Sequence, residues 1–219
     1  MQKEPDFMDT MPTWDLAIDA PANPWGEINT TLPSEILKQK ALKRIVKNDK
    51  IHFLKAKALS DLCIKPLPNE QYRIITEKQF NAYALILHLL ETEEIVDMYL
   101  AIFRINEPTV ASIIDFIEAR KIKRATFVIS NFFNQTKKPE KWAIKLKRFC
   151  DDSPYCEHIY THNHSKVLAV ETVSGGFFVF EGSGNMSDNA RIEQYVYENN
   201  KEVYEFHKDW MRRLITNES

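Results

Sequence analysis

The chain is short of cysteine: Cys63, Cys150 and Cys156 are all it has, and their spacing fits no metal-ligand pattern. Three thiols cannot all close into intramolecular bridges, so reduced cysteines are expected, as in a cytoplasmic protein. No uncharged run reaches the ~18 residues of a membrane span, and no stable membrane association is expected. The first residues are acidic and contain no apolar h-region, so no secretory signal is expected. Neither sign of charge dominates: 29 Lys and Arg stand against 31 Asp and Glu, for a net charge of −2. The molecule as a whole is therefore no polyanion trap, and affinity for nucleic acid must come from local clusters. There is no internal repeat.

What is present suffices for a sizeable core. Of 219 residues, 44% are apolar and 27% charged, which fits one large domain or one domain with an extension. Residues 1–34 hold five of the ten prolines, six acids and one lysine, with Trp14 and Trp25 interleaved. Such a stretch has little regular structure of its own, though its tryptophans could dock on a surface. The composition then reverses. Glu35 to Lys57 carries eight basic residues against two acids, with Leu37, Ala41 and Ile45 at helical spacing after a Ser34 N-cap. This predicts an amphipathic helix whose basic face, including Lys38, Lys40, Lys43, Arg44 and Lys47, is either a solvated surface or a contact for a phosphate backbone. Residues 1–71 are thus read as an irregular, then helical, N-terminal extension, and 72–219 as the main domain.

From Tyr72 the pattern becomes regular. Tyr72–Ile75 reads as a short strand. Thr76 with Gln79 resembles a capping box, before a helix through Phe80, Tyr83, Ala84, Leu87 and Leu90. Glu94–Ile105 reads as a buried strand, and Asn106-Glu107-Pro108 opens a helix burying Val110, Ile113, Ile114 and Ile117. Arg124–Asn131 is a strand, and Pro139 starts a helix with Trp142, Leu146 and Phe149 inward. Glu157–His162 is a further strand. A glycine turn, Ser174-Gly175-Gly176, joins Lys166–Glu171 to Phe177–Phe180 as a hairpin. Ile192–Tyr197 is the last strand, and Lys201–Leu214 a final helix with Val203, Phe206, Trp210 and Leu214 on one face. The alternation predicts an α/β sandwich, a mixed but mostly parallel sheet flanked by helices.

The chemistry gathers near the hairpin. His164 and Lys166, two apart on a strand, would share a face. Gly182-Ser183-Gly184-Asn185 follows with exposed backbone N–H groups, a hydroxyl and an amide, donors that suit a tetrahedral oxyanion such as phosphate. His164-x-Lys166, four residues, Glu171, then Gly182-Ser183-x-Asn185 and a later Glu193, resembles the phospholipase D superfamily, in particular its small single-motif, nuclease-like members. The resemblance covers roughly 72–219, and it departs from the family at Glu171, where the family usually has Asp. It implies a phospholipase D-like fold and phosphodiester cleavage by His164 as nucleophile. Lys166, Ser183 and Asn185 would hold the non-bridging oxygens, Glu193 would orient the histidine ring, and Glu171 and Gly182 would play supporting parts. No metal or other cofactor is implied. A second histidine is needed as general acid, so the resemblance implies a homodimer with both motifs at one two-fold axis.

The expected activity is that of a nuclease on DNA or RNA. A phospholipase or phosphatidyl transferase is the alternative enzyme, and a non-catalytic nucleic-acid-binding dimer the alternative from another class.

Overall fold

The computed structural model describes residues 50–56, 65–77, 82–134, 139–187 and 192–217. All lie within one unit, Ile45–Ser219. Eight strands form a single sheet: β1 (Lys50–Ala56), β2 (Glu70–Glu77), β3 (Ile95–Ile102), β4 (Ala125–Ser130), β5 (Cys156–Thr161), β6 (Lys166–Thr172), β7 (Phe177–Gly182) and β8 (Ile192–Asn199). Among the described residues four α-helices accompany them: α1 (Tyr83–Leu90), α2 (Glu107–Glu118), α3 (Lys141–Asp152) and α4 (Lys201–Asn217). The strand order is β1-β2-β8-β7-β6-β3-β4-β5.

The expectation of a mostly parallel sheet is corrected. Parallel pairing joins β1 to β2, β3 to β4 and β4 to β5, whereas β2–β8, β8–β7, β7–β6 and β6–β3 are antiparallel. The β-α-β-α-β run from β3 to β5 needs helical crossovers and so is parallel. The β6–β7 hairpin turns back on itself through Gly175, and β8 lies antiparallel beside it. The hairpin turn depends on Gly175, whose φ of +82° lies in the left-handed region that glycine enters without Cβ strain.

The central strands are apolar on both pleat faces because helices cover both sides. Leu168 and Val170 of β6 join Leu100, Phe127, Phe178 and Phe180 in the larger core, under α1, α2 and α3. Val167 and Ala169 join Tyr99, Val128 and Val179 in the smaller one, under α4. α2 begins where its cap is: Asn106 Oδ1 accepts from Thr109 N at 2.9 Å, with Pro108 in the first turn. Val110, Ile113, Ile114 and Ile117 are its buried face.

Other boundaries differ from expectation. Thr76 caps no helix; it lies in β2, its Oγ1 donating to Glu193 O at 3.3 Å. Lys50–Ala56 is an edge strand, not the end of a basic helix, and the rest of that expected helix, with Lys38, Lys40, Lys43, Arg44 and Lys47, lies outside the described residues. α4 turns Tyr204, His207 and Met211 inward, with Val203, Trp210 and Leu214 flanking them, while Phe206 is exposed. Its stripe is centred one residue away from the predicted face, because Tyr204 packs edge-on against Tyr99 and His207 pairs with Glu181. Cys150 and Cys156 are buried free thiols, and Cys63 lies outside the described residues.

Candidate active site

Four strand ends converge at one end of the sheet: β3, β4 and β5 finish there and β6 begins. The carboxyl ends of parallel strands are where open α/β sheets place ligands. β5 and β6 are not neighbours, since β4 and β3 stand between them. The chain covers that gap with His162, Asn163, His164 and Ser165 alone. Asn163 holds the crossing down. Its Nδ2 donates to Val128 O at 2.9 Å and to Ile102 O at 3.3 Å, and its Oδ1 accepts from Ser165 N at 2.9 Å.

His164 therefore sits in the crossing, exposed, rather than on β6. The expected strand geometry of the His–Lys pair is corrected, yet the two side chains do meet. Lys166 Nζ lies 2.9 Å from His164 Nδ1 and donates to His164 O at 2.8 Å. An ammonium can only donate. With Lys166 charged, Nδ1 accepts and the ring proton is assigned to Nε2. The imidazole packs against Phe103 at 4.6 Å between ring centroids, and the ammonium stands 5.6 Å from the same ring. Burial lowers the pKa of Lys166 from its ordinary value, while the negative charge of Glu193 works in the opposite direction.

The Gly182-Ser183-Gly184-Asn185 turn leaves the end of β7 and is fastened on two sides. Ser183 N donates to Gln194 O at 3.0 Å, Gln194 N donates to Ser183 Oγ at 3.1 Å, and Ser183 Oγ donates to Glu193 Oε2. Asn185 Oδ1 accepts from Arg104 N at 3.1 Å, and Met186 N donates to Arg104 O at 3.2 Å. Gly182 is there for close approach: a Cβ would stand 2.4 Å from Gln194 O and 2.2 Å from the Tyr195 ring. Gly184 and Lys166 line one small cavity, and a larger groove of about 930 Å³ runs from Lys166 and Gly182 over β8 to Arg73.

Glu193 keeps other company than the resemblance implied, and Glu171 stands away from the site, as its supporting part allows. Glu193 bonds Ser183, and among the described residues Lys166 occupies His164 Nδ1, so within one chain the carboxylate supports Ser183 and Lys166 rather than orienting the imidazole. Glu171 is on the opposite pleat face of β6 from Lys166, roughly 16 Å along the strand, where it accepts from Tyr204 OH at 3.3 Å. Sequence reading missed Asn163, Phe103, Arg104 and Phe132. Only Asn163 left a sign: an asparagine two before a serine is the spacing of an Asx turn.

No family model matches the chain, and no curated protein matches it. Among solved structures it is similar to yeast tyrosyl-DNA phosphodiesterase mutants. One aligns at 13% identity and a TM-score of 0.34, covering 57% of this chain and 30% of that one. A second aligns at 12% and 0.33, covering 57% and 31%. A third aligns at 14% and 0.32, with the same coverage as the second. The match takes in less than a third of those proteins' length, and an overlap this slight carries no chemistry across.

Proposed function

We propose that this chain is a metal-independent phosphodiesterase that cuts nucleic acid, DNA or RNA, through a covalent phosphohistidine. The observation that carries the reading is the 2.9 Å contact between Lys166 Nζ and His164 Nδ1, at the strand ends where the Gly182–Asn185 turn also closes. A phosphodiester is an anion that repels nucleophiles. Its cleavage needs a cation on the non-bridging oxygens, hydrogen-bond donors for the charge that develops, and a nucleophile usable near neutral pH. Lys166 is the cation, Asn185 Nδ2 and, once its hydroxyl turns from Glu193 to substrate, Ser183 are the donors, and His164 is the nucleophile. Its exposure lets a polymer reach it. The resemblance of His164-x-Lys166, Glu171 and Gly182-Ser183-x-Asn185 to the phospholipase D superfamily points the same way.

In the proposed reaction the Lys166 ammonium leaves His164 Nδ1 for a non-bridging oxygen and the ring proton moves to Nδ1; the freed Nε2 lone pair then attacks phosphorus and forms the P–N bond, and the P–O bond to the leaving alkoxide breaks. A second histidine, protonated, gives the alkoxide its proton. Water then attacks phosphorus, loses its proton to that histidine, and breaks the P–N bond. One chain holds one such motif, so the second histidine is taken to be His164 of another copy about a two-fold axis. The basic segment Lys38–Lys47 is assigned to sequence-independent phosphate contacts, and the site of action to the cytoplasm.

The test is a hydrolysis screen on DNA, RNA and phospholipid vesicles in EDTA, with light scattering on the same sample. Nucleic-acid cleavage that vanishes in His164→Ala is expected, from a dimer. Cleavage surviving in that variant, or release of lipid headgroup with DNA and RNA untouched, overturns the assignment. A monomer at micromolar concentration overturns the shared site.

A further inference from the structure

Phosphoryl transfer makes no use of the aromatic cluster that reaches His164 through Phe103. Phe103 follows β3, and Phe132 and Phe133 form a single 3₁₀ turn after β4, begun by Phe132 N donating to Ser130 Oγ at 3.4 Å. The three rings pack together, Phe103 and Phe132 each edge-on to Phe133 with centroids 5.3 Å and 5.1 Å away, and Phe103 and Phe132 tilted against each other at 6.2 Å. The cluster is rooted in the core, where Phe133 is buried and lies 5.4 Å from Trp142. It ends in solvent: Phe132 is 55% exposed. A large ring left half in water gives up burial the fold could have used.

Cations stand among these rings. Lys166 is 5.6 Å from Phe103, and the Arg104 guanidinium 5.9 Å from Phe133. Aromatic faces alternating with cations are how proteins hold single-stranded nucleic acid, the rings stacking on bases and the cations tracking phosphates. A base inside a duplex is stacked and paired and cannot reach such a ring without being extruded. An acyl chain would call for a continuous apolar trough, whereas Arg104, Lys166 and Asn185 hem this patch in.

We infer that Phe132, backed by Phe103, is a stacking shelf for the nucleobase next to the scissile phosphate, and that the substrate is single-stranded nucleic acid. This rests on the phosphodiesterase reading above. The experiment uses labelled single-stranded DNA and RNA oligonucleotides, the same strands with one abasic residue stepped through the cleavage region, and duplexes of the same sequence. Wild type, Phe132→Ala and Phe132→Tyr are compared, with circular dichroism melts as folding controls. On intact single strands Phe132→Ala is expected to lower kcat/KM about ten-fold, and Phe132→Tyr to retain it. One abasic position should cost the wild type a similar factor and cost Phe132→Ala nothing more. Duplexes should be cut more slowly than single strands. If Phe132→Ala equals wild type, if the abasic penalty persists in that variant, or if duplexes are cut as fast, the shelf is overturned while the phosphodiesterase stands. If the wild type cuts no nucleic acid, the phosphodiesterase reading falls, and the shelf with it.

Discussion

The two ends of β6 are built for opposite purposes. At Lys166 the strand opens to solvent, and its first residue holds an ammonium against an exposed imidazole. At Glu171 it is closed in. Tyr204 OH donates to Glu171, Tyr99 OH donates to Asp97 at 3.3 Å, and Arg124 clamps the same buried Asp97 at 2.9 Å. Burial and then the charge of Asp97 push the Tyr99 phenol up to about 12, so it stays a neutral donor. The closed end docks α4 on the sheet and keeps the strand in register. The open end can then leave side chains partly unsupported without the strand slipping. On the proposed reading, a motif that spans His164 to Glu171 in sequence joins the nucleophile to an anchor, and its acid need never meet substrate.

Perturbing each end should separate rate from stability. The largest effect is expected from His164→Ala, a loss of hydrolysis on the order of 10³-fold or more, with a melting temperature unchanged because the side chain is exposed. Equal activity in Glu171→Gln, measured beside it, would sharpen the contrast; a comparable loss there would break it. Lys166→Met should follow, lowering kcat on the order of 10²-fold by removing charge from the non-bridging oxygens, again with no loss in a denaturant melt.

At the closed end the effects reverse. Asp97→Ala removes the acceptor of the buried Tyr99 hydroxyl, leaving it Arg212, and takes the Arg124 partner away, so it should cost about 2 kcal/mol in urea unfolding, while activity per folded molecule holds. The smallest effect concerns Glu93, which sits beside the hairpin turn. Burial raises its pKa, but hydrogen bonds from Lys65, Ser174 and Thr172 and the Lys65 charge outweigh that and bring it from its ordinary 4.5 to about 2. A carboxyl whose folded pKa is depressed stabilises the fold above its unfolded value and loses that contribution as pH falls through the folded one. Wild type should therefore lose a little stability between pH 4.5 and 2 that Glu93→Gln does not lose, a difference visible in melts across that range.

Much of the fold was legible where cause is local. The Asn106-Glu107-Pro108 start of α2, its Val110–Ile117 face and the Gly175 turn each write their geometry into a few adjacent residues. Strand direction was not legible, because β2 finds β8 more than a hundred residues away (Tyr72 opposite Tyr197) and nothing near Tyr72 records that partner. For the same reason Lys50–Ala56, paired from Lys50 with Glu70, reads locally as part of a basic helix. In the site, the two-residue spacing singled out His164 and Lys166, but they meet from a crossing and a strand end rather than along one strand, which the spacing does not encode. The company Glu193 keeps depended on which turn folds over β8, which spacing does not encode.

The strap from Thr161 to Lys166 has one more implication. It must span three interstrand gaps, roughly 14 Å, and its five peptide steps reach at most roughly 17 Å. So little slack, pinned by Asn163 to the carbonyls of Ile102 and Val128, means that the sheet itself sets where the imidazole stands. Arg104 and Phe132 stand instead on the residues that follow β3 and β4. Substitutions there can change what lies beside the imidazole without moving the strap that places it.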